Sequence, residues 1–273
     1  MEKIMRFALV DSVRSEASPG SIGYCPGCSE PMTAKCGTRK IWHWAHRSRR
    51  TCDPWWEPET VWHRMWKSHF ASGWQEAIQL DDAGEKHIAD VRTESGLVIE
   101  FQHSHLPEKE RSAREAFYQN MVWVVDGTRL KRDRPRFLSG RTLLRPTWLK
   151  GVFVTQRPQE CFPAGWLNCT MPVFFDREAI EQSGTKLATL WCLLPERAEG
   201  QAVIAAVSRP AFLRAARERP QIIPSRTIVE TIAAGLRRER MIAELNARRR
   251  FYGLPLGQNG RSKRFGRRRR PRY

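Results

Sequence analysis

The stretches IADV (88–91) and VIEFQHS (98–104) decide how this chain is read. Each reads as a β-strand, and residues two apart in a strand share a face. Ile99 and Phe101 therefore point into a core, while Glu100 and Gln102 point out together. A hairpin through TESG (93–96) lays Asp90 beside Glu100. Two carboxylates converging at a sheet edge repel unless a cation sits between them. Oxygen donors so placed suit a hard divalent ion, Mg²⁺ or Mn²⁺. The same residues also fit an amphipathic hairpin with solvated acids.

The flanks extend the pattern. Trp62, Met65, Trp66, His69 and Phe70 recur at helical spacing and make an apolar stripe. Glu59, His63 and Lys67 lie four apart on a different face, with Pro58 in the first turn and Gly73 at the stop. A short strand, QEAIQL (75–80), precedes the two acid-bearing strands. A helix from about Pro107 to Gln119 and the strand MVWVVD (121–126) follow. The expected unit is a compact α/β fold in the order helix, three strands, helix, strand.

That order, with an Asp and then Glu-x-Gln on successive strands, resembles the core of the PD-(D/E)xK nuclease superfamily. A narrower resemblance rests on CPGC (25–28), HWAH (43–46), ExxxHxxxK (Glu59, His63, Lys67), ADV (89–91), IEFQHS (99–104) and RxxxY (Arg114, Tyr118). Together these look like the competence protein CoiA-like family, over roughly residues 20–130. The resemblance implies an Mg²⁺-dependent nuclease that hydrolyses phosphodiester bonds of DNA. The setting it implies is DNA uptake, recombination, or the processing of phage and mobile-element DNA. On this expectation Asp90 and Glu100 hold Mg²⁺, Gln102 orients the attacking water, and Glu59 lends a further carboxylate. His63 and Lys67 touch phosphate or steady Glu59. Arg114 and Tyr118, one helical turn apart, clamp the DNA backbone; a surface ion pair with Glu110 or Glu115 is the alternative.

Two departures qualify the match. Ala89 stands where the superfamily has proline, and Gln102 where it has lysine. A carboxamide hydrogen-bonds water but carries no charge, so water activation falls to the metal. Gln102 and the basic tail support a rival expectation, a DNA-binding recombination accessory protein with little or no hydrolysis.

Cys25-x2-Cys28 followed by His43-x2-His46 has the pattern of a structural zinc site. Cys36 and Cys52 are the other candidates, and unmetallated thiols in a small hairpin are the alternative. A site closed by four protein ligands leaves no position for water, so its role is to fold the segment. Cys161, Cys169 and Cys192 are isolated among apolar residues and read as core.

The 273 residues carry a net charge of +18, which favours polyanions, nucleic acid above all. No long apolar run exists, the hydrophobic start FALV (7–10) is far too short to span a bilayer, and no secretory segment is recognisable. Seven cysteines without such a segment argue against a disulfide framework. The expected compartment is the cytoplasm, with DNA as partner, no membrane, and recombination or uptake proteins as further associates. Of eleven tryptophans, Trp62 and Trp66 read as core and Trp42 and Trp44 as packing for the metal module, in preference to base stacking.

Four segments are expected. Residues 1–55 form the zinc-binding module and 56–135 the nuclease-like core. Residues 136–220 are a strand-rich α+β region with PVFFD (172–176), TLWCLL (189–194), QAVIAAVS (201–208) and the helix PAFLRAARE (210–218). Residues 221–273 hold a basic amphipathic helix (228–250, stripe Ile228, Ile232, Leu236, Ile242, Leu245) and an arginine-rich tail. The tail RSKRFGRRRRPRY (261–273), with Arg267, Arg268, Arg269 and Arg270, is too charged to pack and is expected to bind phosphates.

Overall fold

A computed structural model describes residues 4–48, 53–55, 59–81, 84–177 and 188–251. Among them, the first six strands make a small antiparallel sheet. They are β1 (Ile4–Met5), β2 (Phe7–Val10), β3 (Val13–Glu16), β4 (Ile22–Tyr24), β5 (Pro31–Lys35) and β6 (His43–His46), in the spatial order β1-β6-β5-β4-β2-β3. Its core is Met5, Ala8, Cys25, Met32 and Trp44. Trp44 is fully buried and donates its indole N–H to Ser15 O at 2.9 Å. Trp42 does not pack the module as expected: it is 48% exposed. Trp56 lies outside the described residues.

The expected α/β order follows. It comprises α1 (Val61–Lys67), β7 (Gln75–Leu80), β8 (Lys86–Arg92), β9 (Val98–Gln102), α2 (Glu108–Tyr118) and β10 (Met121–Asp126). Helix α1 is shorter than its periodicity suggests, because Thr60 and His63 close a capping box at its start and Ser68 caps its end. Glu59 therefore precedes the helix, and Gly73 sits in a separate 3₁₀ turn. Pro58 lies outside the described residues. The 93–96 hairpin closes as expected, with Gly96 at φ +80°, a left-handed conformation that favours glycine. Its ladder pairs Val91 with Ile99 and Arg92 with Val98.

The later strands join this same sheet. After α3 (Asp133–Gly140) come β11 (Arg145–Pro146), β12 (Val152–Thr155), β13 (Val173–Asp176), β14 (Thr189–Leu193) and β15 (Ala202–Ser208), then α4 (Arg209–Glu218) and α5 (Ser225–Phe251). The nine-stranded order is β11-β12-β15-β14-β13-β10-β9-β8-β7. Strands of the 56–135 and 136–220 segments thus share one sheet, joined where β10 runs parallel to β13. One face packs on Trp62, Trp66, Phe101, Phe174, Phe212, Ile232 and Leu236, the other on Trp123, Phe137, Phe162 and Phe175. Buried Cys161, Cys169 and Cys192 belong to these cores, as expected.

Helix α5 packs only by its first half. Val229, Ile232 and Leu236 are buried, whereas Ile242 and Leu245 are about half exposed. A helix of 27 residues runs about 40 Å. At Gly235 the Trp148 ring lies against the helix backbone, and a Cβ there would fall 1.9 Å from the ring unless the half-exposed tryptophan moved aside. Among the described residues no helix is long and apolar enough to cross a membrane.

Candidate active-site cleft and metal centre

Beyond Val91↔Ile99 the β8–β9 ladder opens, and side chains replace its backbone bonds. The Asp90 N–H donates to Glu100 Oε1 at 3.1 Å, and the Phe101 N–H donates to Asp90 Oδ2 at 2.9 Å. Two carboxylates lie together because each satisfies a main-chain donor of the other strand. Lys67, reaching down from α1, sets Nζ 2.9 Å from Asp90 Oδ1 and 3.2 Å from Glu59 Oε1. Arg64 holds the other Glu59 oxygen at 2.7 Å. From α2, Arg114 Nη1 meets Glu100 Oε2 at 2.8 Å. A cavity of about 60 Å³ separates these groups and is also lined by His63, Trp55 and Glu76.

The second centre lies in the small sheet. Sγ of Cys25, Sγ of Cys28 and a ring nitrogen of His46 lie within 4.8 Å of one another. Among the described residues this is the one group of three or more such side chains close enough to share an ion. Cys28 Sγ lies 3.3 Å from His46 Nε2. His43 does not join them. Residues three apart in β6 point to opposite faces, and His43 instead bonds Ile41 O through Nδ1 at 2.6 Å. Two thiolates and an imidazole are the donor set zinc prefers, so the residues fit the metal. Cys52 lies outside the described residues.

Residues 23–54, which contain this whole cluster, match the family model of the competence protein CoiA, N-terminal domain. Over this segment the chain is similar to CoiA. The match ends before Glu59, so it bears on the metal centre and leaves the acid cleft to its own geometry. No match was found among curated proteins or among solved structures.

The cluster of Cys25, Cys28 and His46 carries a direct test. Purified protein should hold about one zinc, and Cys25→Ser should release it and loosen the N-terminal sheet. His43→Ala should keep it. Zinc retained by Cys25→Ser, or lost from His43→Ala, would overturn this ligand set.

In the acid cleft, tertiary packing alters several expectations. Glu100 and Gln102 do not face solvent: each is 3% exposed, and β9 is the third strand from the sheet edge. Strand parity assigns a face, and α2 covers that face. Arg114 is buried on Glu100 and Glu110, which leaves no guanidinium to clamp DNA. Tyr118 packs edge-on to Trp55 and Phe117. His63 is spent locally, bonding Phe101 O at 3.1 Å and Thr60 at the helix cap. The Gln102 amide turns to Ser104 O at 3.2 Å, outside the carboxylate cavity. Glu76 is the acid that the sequence reading missed. It sits at φ +46° in β7, a kink no local motif announces, and its carboxylate accepts the Arg6 and Phe7 N–H groups at 2.7 and 3.1 Å. It fastens the small sheet to the cleft.

The charges are set by this crowding. Burial disfavours the Lys67 ammonium, but Asp90, Glu59 and Glu76 overcome it and raise its pKa. Burial would likewise raise Asp90 and Glu59, yet Lys67 beside both holds them below ordinary values. Glu100 goes the other way: burial, then the Asp90 charge, push it up to about 8 against the pull of Arg114. A carboxyl raised in the folded state favours folding when protonated. That contribution is complete below its unfolded value near 4.5 and is lost as pH rises through about 8. Metal-free protein should therefore melt at lower temperature as pH rises through about 8, a trend that Glu100→Gln removes. Identical trends in both proteins would show that Glu100 titrates elsewhere.

Proposed function

We propose that this CoiA-like chain is a metal-dependent deoxyribonuclease whose acid cleft hydrolyses DNA phosphodiester bonds. The observation that carries this reading is the meeting of Asp90, Glu100 and the Lys67 ammonium around one small cavity. The donor set fits Mg²⁺ or Mn²⁺: oxygen ligands, Asp90 with a side chain 23% exposed, and about 60 Å³ of space. A water needs roughly 10–15 Å³, so a cation with a few waters fits, and DNA must lie at the mouth. A cation held there would polarise the phosphate and lower the pKa of its water.

The chain's own residues supply the rest. Lys67 sets a positive charge beside Asp90, the part that lysine plays in the nuclease superfamily the sequence resembles, delivered here from α1 in place of β9. Charge that builds on the phosphate oxygens is offset by this fixed ammonium. Arg114 pins one Glu100 oxygen, so the carboxylate presents the other in a set direction. Glu59 and Arg64 keep Lys67 from swinging away.

The test is cleavage of linear, single-stranded and branched DNA with Mg²⁺ or Mn²⁺, beside Asp90→Ala. Metal-dependent cutting by the wild type alone supports the reading; no cutting of any substrate overturns it. A second reading is favoured by one observation: Asp90 and Glu100 already have Lys67 and Arg114 as partners. A DNA-binding accessory protein without hydrolysis would then bind the same panel and cut none of it.

Basic segments support a nucleic-acid partner in either case. The exposed half of α5 carries Arg237, Arg238, Arg240 and Arg248–Arg250. The tail with Arg267–Arg270 lies outside the described residues. Deleting 261–273 should weaken duplex binding and flatten its salt dependence, since each phosphate contact contributes about −0.9 to the log–log slope. Cleavage at saturating DNA should survive. An unchanged slope would assign the tail another partner.

A further inference from the structure

A second cavity, of about 320 Å³, opens beyond the carboxyl ends of β9 and β10. These are adjacent parallel strands, and crevices outside such strand ends are where open α/β sheets bind ligands. His103, one residue past β9, donates its Nδ1–H to Asp126 Oδ2 at 2.8 Å. Asp126 also accepts from the Thr128 N–H at 2.8 Å and its hydroxyl at 2.6 Å. A carboxylate so saturated is fixed in place, and it fixes the imidazole with Nδ1 turned inward. Nε2 has no hydrogen-bond partner among the described residues, and the His103 side chain is 29% exposed at the cavity wall.

The rest of the lining is chemically mixed. Leu106, Leu130 and Trp166 supply apolar walls, while Arg129, exposed and unpaired among the described residues, stands at the rim. Asp133, the other acid on the wall, is paired with Arg136 at 3.3 Å. An apolar wall beside an imidazole and a guanidinium suits a nucleobase joined to a phosphate. The volume admits one nucleotide and excludes a duplex.

The cavity adjoins the acid cleft. His63, which lines that cleft, has its ring 6.0 Å from the His103 ring. Gln102 bonds Ser104, which lines the new cavity. We infer that the cavity around His103, Asp126 and Arg129 binds a single unpaired nucleotide of the DNA strand that passes the acid cleft. His103 Nε2 and Arg129 hold the phosphate, and the Leu106, Leu130 and Trp166 walls hold the base. This inference rests on the nucleic-acid reading above for its ligand, but binding is measured without any cleavage.

The experiment titrates a deoxynucleoside 5′-monophosphate, the matching nucleoside, and inorganic phosphate into full-length protein, with the heat of binding as readout. The monophosphate should bind more tightly than either fragment. His103→Ala and the surface variant Arg129→Ala should each weaken it by about tenfold or more, the scale of one charged hydrogen bond. Asp90→Ala should leave it unchanged, which separates this site from the acid cleft. No binding of the monophosphate, equal binding of inorganic phosphate, or equal binding by Arg129→Ala would each overturn the inference. Monophosphate binding in a protein that never cuts DNA would sustain it while the nuclease reading fails.

Discussion

Asp90→Ala is expected to reduce DNA cleavage by at least about 10²–10³-fold, the scale seen when one group that stabilises a transition state is lost. Duplex binding should stay at wild-type strength or tighten. The carboxylate is an anion facing phosphates, so its removal lowers repulsion even as it removes a metal ligand. Glu100→Ala should behave alike in cleavage, but it also strands Arg114, whose Nη1 is buried against Glu100. Leaving one partner of a buried pair alone costs about 3–5 kcal/mol, so a lower melting temperature should accompany this variant. Measuring single-turnover cleavage and binding in parallel separates the two effects. Wild-type cleavage by both variants would remove these acids from the chemistry.

Lys67→Met should be nearly as damaging, in two ways at once. Its ammonium is buried between Asp90 and Glu59, with Glu76 adding to the field. An apolar replacement leaves acids facing each other without a counter-charge, at a cost of about 3–5 kcal/mol. It also removes the ammonium proposed to offset charge on the phosphate, for a cleavage loss of about 10²-fold or more. Gln102→Ala should cost under about tenfold, the worth of a single neutral hydrogen bond, because its amide faces Ser104. Cleavage is compared at a temperature where circular dichroism shows every variant folded. If Gln102→Ala proves the more damaging change, the ammonium role passes from Lys67 back to Gln102 as water-positioning group.

The order of elements around the acids was legible because each carries its own period. Alternation in 98–102 and 121–126, and the three-to-four spacing from Trp62 to Phe70, follow from backbone geometry alone. The pairing of Asp90 with Glu100 was legible too, since TESG fixes a short hairpin and a short hairpin fixes its register. Cys25 and Cys28 were legible because a two-residue spacer turns both thiolates the same way. His43 was misread for a comparable local reason: spacing suited to a turn or helix was applied to a strand, where three residues reverse the side chain.

What neighbours across the fold decide was out of reach. Face parity in β9 carries no information on whether α2 covers that face, so a solvent-exposed acid and a buried acid at about pKa 8 look identical in sequence. The pairing of Lys67 with Asp90 and of Arg114 with Glu100 depends on how α1 and α2 cross the sheet. The place of Glu76 depends on a kink in β7 stabilised by the N–H groups of Arg6 and Phe7, some seventy residues away. Periodicity records each segment's preference for inside or outside. Charge state and chemical role come from which groups the finished packing places within about 4 Å, where Coulomb energy in a poorly hydrated cleft outweighs local propensity.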